Sequence, residues 1–324
     1  AGPAPALGPG PLDPRPGLGA GHRRCGLAAR LGAGGRQSPP VLYRRTGRLV
    51  DRDAGASAAD CEPSRWGKSD VLGSANLVNP ERTLEAVSLI KQGKTVPLGI
   101  VIDAATPAFP PRGLSVQVVQ PGQQGGKKLT DFGFAANYND DLIQTWVGIG
   151  SQLDGLGHFG EDGLYYNCLD EKDISAITGL TKLGVHDVPP LVGRAVVIDM
   201  AKHAGKAYLE AGEHFGEQDI KAAARAQGVE IREGDIVLFY TGWTENKLES
   251  EPSAWASGEP GINVSGARYL AGLNVMAVGS DTWGIEPVPP APGDGTFYGH
   301  VVLLKDNGIY ILETMNTGPI LRDG

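Results

Sequence analysis

Residues 217–241 read EQDIKAAARAQGVEIREGDIVLFYT. The segment 217–227 has the pattern of a helix, and Gly228 supplies its stop signal. Asp235–Thr241 (DIVLFYT) then gives the short apolar run of a buried strand. A helix leading into a buried strand is the repeating step of an α/β fold. The step recurs downstream, with a helix over Ser265–Leu273, a strand over Asn274–Gly279 and a last strand over Ile309–Met315 (IYILETM). Upstream, Ala195–Met200, Leu142–Ile149 and Val96–Asp103 (VPLGIVID) are strand-like. Asn79-Pro80-Glu81 starts a helix with a capping residue, a first-turn proline and an early acid. Leu84, Val87 and Ile90 follow at helical spacing, and Gly93 ends it. Residues 104–130, rich in Pro, Gly and Gln, form a long loop of the kind that covers a site. The expectation is a single α/β domain over residues 63–324.

Composition narrows the function classes. The chain has 324 residues, 41% hydrophobic and 20% charged, as a folded globule requires. No apolar run approaches the roughly 20 residues of a membrane-spanning helix, and no secretory signal is visible. A formal charge of −8 counts against nucleic acid, so neither a membrane nor a nucleic-acid partner is expected. Cys25, Cys61 and Cys168 are odd in number, far apart and without a CxxC pair. That spacing predicts neither a disulfide framework nor a zinc knuckle, and it fits a reducing cytoplasm. Residues 1–60 hold nine Arg against four Asp, with 12 Gly, 8 Pro and 11 Ala. With few large apolar side chains, such a segment cannot offset the entropy of ordering its backbone. Residues 1–62 therefore read as a disordered or non-native leader, with a functional basic arm as the competing reading, and the fold starts near Trp66.

Several chemistries are absent from the motifs. There is no GxSxG elbow, P-loop or HExxH. DGLGHFG fits GxGxxG, but Glu161-Asp162-Gly163 follows where a dinucleotide site needs a helix N-terminus. The same stretch suits a metal better. Alternation puts Gln152 and Asp154 on one face, and the glycines let His158 rejoin them. An amide oxygen, a carboxylate and an imidazole suit zinc or manganese. Glu313 shares a strand face with Ile309, Ile311 and Met315, and a carboxylate there needs a metal, an Arg such as Arg194 or Arg268, or a wet strand end. His300 precedes an apolar run and reads by default as a hydrogen-bonded core residue. Asp281 and Glu286 follow a buried strand at the end where α/β sheets carry sites, with a turn cap as the plainer reading.

Six segments share an order and spacing from Trp66 to Met315: SRWG (Ser64–Gly67), Asn76–Pro80, SQLDGLGHFG, VLFYTGW, AVGSDTWGIEP and GHVVLLKDNGIYILE. Together they resemble the cyclase family of metal-dependent hydrolases, which includes kynurenine formamidase and isatin hydrolase. The family signature is HxGTHxDxPxH. Its Asp and last His fall on Asp154 and His158, its second His on Gln152, its first on Gly148 and its Pro on Leu156. The pattern is similar to the longer branch that holds trans-dienelactone hydrolase and γ-lactamases.

The resemblance implies a central mixed β-sheet flanked by helices, in the swivelling β/β/α manner. It implies one divalent ion, Zn or Mn, held by Asp154, His158 and Glu313, with Gln152 as a further ligand or as a donor to the ligands, and with His300 or an uncoordinated His158 moving a proton. Trp146, Phe159, Tyr165 and Trp283, next to these motifs, are candidates for an apolar pocket wall. The implied substrate is a linear or cyclic amide, with a lactone second, and the implied assembly is a homodimer or homotetramer. A nicotinamide oxidoreductase using GLGHFG, a non-catalytic binding protein with a degenerate site, and a lyase or ring-closing cyclase are the competing classes.

Overall fold

The computed structural model describes residues 61–120, 122 and 126–323. The chain divides into two units, Ala1–Arg52 and Asp53–Gly324. The expected leader therefore lies outside the described residues as far as residue 60. Asn79 caps α1 (Pro80–Ser88), its side chain accepting from the Arg82 amide while Pro80 opens the first turn. α1 stops at Ser88, short of Gly93, and Leu84, Val87 and Ile90 remain exposed.

Two upstream expectations fail, for related reasons. Val96–Asp103 forms no strand. It runs beside residues 150–151 and is held by the Ile100 amide on the Ser151 hydroxyl and the Asn316 amide on the Leu98 carbonyl. These bonds fasten the segment without a ladder. The loop over 104–130 contains β1 (Leu114–Val119), which pairs antiparallel with β2 (Asp140–Thr145) in the register Leu114↔Thr145. The strand expected over Leu142–Ile149 is thus a two-stranded hairpin ending at Thr145, largely exposed and separate from the central sheet.

The rest follows the alternating pattern. In chain order come β3 (Gln152–Asp154), β4 (Ala195–Asp199), α2 (Glu217–Gln227), β5 (Ile236–Tyr240), α3 (Val264–Gly272) and β6 (Ala277–Ser280). α4 (Tyr298–His300) continues as a π-helical segment over Val301–Asp306 and leads into β7 (Tyr310–Glu313). The sheet order is β3-β7-β6-β5-β4. β4 to β7 are parallel neighbours, and β3 joins β7 antiparallel. This is the α/β fold that the sequence predicts, with the mixed central sheet that the resemblance implies.

Local chemistry sets the helix ends. Gly228 takes φ +69° and its amide donates to the carbonyls of Ala224 and Arg225, so α2 ends where a left-handed residue is available. α2 buries Ile220, Ala223 and Ala224, and α3 buries Ala267 and Leu270. Ile198, Val237, Phe239, Val278, Leu303 and Tyr310 complete the core around them. Each fully buried aliphatic of this kind contributes about 1.5–3 kcal/mol relative to an exposed one.

The cysteines overturn their expectation. Cys61 and Cys168 form a disulfide, with Cα atoms 5.7 Å apart across 107 residues of sequence. Sequence distance hides the pair because tertiary contacts create it. The Asn167 side chain donates to the carbonyls of Gly67 and Asp70, and the Tyr166 hydroxyl lies 2.6 Å from Asp70. Cys61 thus belongs to the folded part, not to a leader, and the bridge removes the ground on which a reducing compartment was expected. Among the described residues no helix is long and apolar enough to cross a membrane.

Candidate functional site

The register of β3 against β7 builds the centre of the site. Gln152 pairs with Glu313 and Asp154 with Ile311, so both carboxylates and the amide rise from one face of the sheet. The helix–π segment before β7 brings His300 to the same place. π-helical turns of this sort recur at functional sites. Asp154, His300 and Glu313 are each no more than 5% exposed. Their donor atoms lie within 4.8 Å of one another, a group suited to a metal ion.

Hydrogen bonds decide which atoms face the centre. His300 Nδ1 lies 2.6 Å from Glu286 Oε1, and Glu286 also accepts from the amides of Gly299 and His300. This carboxylate fixes the imidazole and leaves Nε2 pointing inward, 3.2 Å from Glu313 Oε1 and 3.9 Å from Asp154 Oδ2. Asp154 Oδ1 accepts from Gln152 Nε2 at 2.9 Å, whereas Asp154 Oδ2 is buried without a hydrogen-bond partner. An orphaned buried carboxylate oxygen costs free energy until a cation or donor meets it. A hard oxygen pair with one imidazole is also a donor set that zinc and manganese accept. The residues fit a divalent cation.

Charge tells the same story. Burial, then the Asp154 charge, pushes the Glu313 carboxyl up to about 7, while His300 and Arg112 pull it down. Burial opposes the His300 imidazolium, but Glu286 and Glu313 outweigh it and raise its pKa to about 10. Both shifts are upward because three buried carboxylates surround one imidazole, and protons take the place of missing positive charge.

The expected site residues do not all lie equally close to the centre. Gln152, expected as a ligand or as a donor to the ligands, makes the contacts of a donor: its Nε2 donates to Asp154 at 2.9 Å and to Glu313 at 2.7 Å. His300, expected to move protons, lies with Asp154 and Glu313. His158, expected among the ligands, sits at the rim with 40% of its side chain exposed, its Nε2 3.9 Å from Asp154 Oδ2. Burial lowers the His158 pKa more than Asp154 raises it. Arg194, offered as a partner for Glu313, pairs with Asp235 instead. Asp281 accepts through Oδ1 from the amide and hydroxyl of Thr241, 40 residues away, and so ties the ends of β5 and β6 together, while its Oδ2 is buried without a hydrogen-bond partner.

The aromatic wall is half the expected one. Phe159 packs 5.2 Å from the His300 ring, and Trp283 reaches His300 through Phe297, at 6.3 Å and then 5.5 Å between centroids. Trp146 is exposed at the foot of the hairpin beside Gly113, and Tyr165 packs under Gly160 against the core. Phe109 and Phe297 are wall residues that the motifs did not reveal, Phe109 stacking on Trp283 at 5.5 Å. The proline-rich loop that carries Phe109 was the available signal. Glu259 was also missed: it is fully buried behind Trp283, accepts from the Trp283 and Gly284 amides, and burial holds its carboxyl well above the usual range.

Comparison with known proteins shows the family. The family model described as "Putative cyclase" matches residues 96–287, well over half of the chain. The crystal structure of a novel cyclase superposes with a TM-score of 0.70 at 28% identity, covering 80% of this chain and 85% of that one. Isatin hydrolase A from Labrenzia aggregata gives 0.48 at 21% identity, with 72% and 85% covered. Isatin hydrolase A from Ralstonia solanacearum gives 0.44 at 17%, with 69% and 79% covered. No curated protein matches the chain. With the family model spanning β3 to β6 and the fold shared with a cyclase structure, the chain belongs to the cyclase family.

Proposed function

We propose that the protein is a metal-dependent hydrolase that opens an amide, linear or cyclic. The observation that carries this reading is the orphaned Oδ2 of Asp154, buried within reach of His300 Nε2 and beside Glu313. Asp154, His300 and Glu313 would hold one divalent ion, zinc or manganese. Such an ion supplies Lewis acidity toward a carbonyl and toward water.

The chain's own residues supply the rest. Glu286 holds the His300 ring and its tautomer. Gln152 ties Asp154 to Glu313 and keeps the two carboxylates in register. Phe159 and Phe297 flank His300 and exclude water from its faces. His158 Nε2, neutral and half-exposed, takes a proton from the attacking water and delivers it to the leaving nitrogen. Water adds across the C–N bond, its oxygen to the carbonyl carbon and a proton to nitrogen, so atoms balance without an oxidant.

Elemental analysis of the purified protein beside Asp154→Ala tests the site. About one zinc or manganese per chain is expected in the wild type and none in the variant. A screen of anilides, lactams, imides and lactones then tests the reaction, with activity expected on amides and lost on chelation. Wild-type protein that is metal-free and takes up none on addition would sink the proposal.

A further inference from the structure

We propose that Arg112 is a substrate-positioning residue that holds a carboxylate beside the aromatic wall, so that the site selects aromatic carboxylates. The proposal deepens the hydrolase reading and rests on the same site. It starts from one turn. The Arg112 amide donates to the Phe109 carbonyl at 3.0 Å, closing Phe109–Arg112. One end of the turn stacks the Phe109 ring on Trp283, and the aromatic chain continues through Phe297 to His300. The other end sends the Arg112 guanidinium to the backbone of residue 148, where Nη1 donates to the Gly148 carbonyl at 2.8 Å.

Two features show that this seat is built. A Cβ at Gly148 would lie 2.6 Å from Arg112 Nη1, 2.9 Å from its Cζ and 3.1 Å from Gln152 Oε1. Gly148 does not have positive φ, so its lack of a side chain serves space and not backbone conformation. The guanidinium is also half-buried and, among the described residues, forms no ion pair. Its charge nonetheless reaches Glu313 and His158 across the site. A guanidinium carries five N–H donors, and one is engaged here. The unengaged fork is matched in shape to a carboxylate, which it binds bidentately. An aromatic ring on the Phe109–Trp283 side and a carboxylate on the Arg112 side define the ligand.

Calorimetric titration distinguishes this seat from a mere brace for the Gly148 carbonyl. Benzoate stands for a released carboxylate, phthalamate for an amide with a carboxylate beside it, and benzamide for the neutral ring. The proteins are wild type, Arg112→Gln and Gly148→Val, each with its metal content measured first. Wild type is expected to bind at least one of the two anions about tenfold or more tighter than benzamide, as charge-assisted bidentate pairs do. Arg112→Gln should erase that preference and leave benzamide unchanged. Gly148→Val, which displaces the guanidinium without removing it, should do the same. Dependence on Arg112 for phthalamate alone assigns the carboxylate to the substrate, and dependence for both anions extends it to the product. A wild type without preference, or a preference that survives Arg112→Gln and follows metal content, overturns the proposal. Wild type that takes up no metal on addition and still shows the Arg112-dependent preference would overturn the hydrolase reading alone.

Discussion

At the scale of single residues, the centre is a place where stability yields to binding. Asp154 keeps one buried oxygen without a donor, beside the Glu313 carboxylate. Asp154→Asn should therefore abolish metal uptake while leaving the thermal midpoint of the metal-free protein equal or higher; a clear fall in that midpoint would count against this account. Glu286 acts through His300, and its replacement by Gln is expected to weaken metal affinity about 10–100-fold, measured by competition with a chelator, with the fold intact. Because burial holds the Glu313 pKa at about 7, the metal-free site keeps protons that a cation must displace. Uptake should release protons and weaken as pH falls from about 10, where the His300 imidazole takes up its proton, and further below about 7, where the Glu313 carboxyl does; calorimetry in two buffers of different ionisation heat would read this. Glu313 was legible in the sequence because a carboxylate in an apolar strand demands compensation, and Asp154 because it alternates with Gln152 ahead of the glycines that return His158. That His300 rather than His158 groups with both carboxylates was not, since it depends on how the helix before β7 enters the site. Arg112 and Phe109 were legible only as members of a loop expected to cover something.

At the scale of elements, local pattern sufficed where partners were near in sequence. α2 and β5 form where periodicity and Gly228 place them. Gly228→Ala tests that stop signal: the left-handed φ of +69° meets open space, so the cost is conformational alone, about 1–2 kcal/mol in denaturant unfolding and without effect on metal content. Val96–Asp103 has equal strand character but no ladder, because a strand exists only where a neighbouring edge offers backbone groups. Ser151 and Asn316 provide single bonds there instead. The β1–β2 hairpin shows the converse, two strands satisfied by each other and exposed to solvent.

At the scale of the whole molecule, the apolar surface and the disulfide set the expectations. Phe132, Phe134, Leu142, Ile143, Trp146 and Val147 are exposed in or near the hairpin. A homodimer or homotetramer, as the family resemblance implies, would cover such side chains. Light scattering is expected to give a multiple of the chain mass, and a monomer at micromolar concentration would refute it. Reduction of the Cys61–Cys168 bridge, or Cys61→Ser, should cost about 2–5 kcal/mol in denaturant unfolding, since the bridge closes a long loop. That loop encloses the whole exposed hairpin together with Lys127 and Lys128. A protease that cuts after either lysine will therefore leave one covalent molecule: a single band of undiminished mass on a gel without thiol, and two fragments once thiol is added.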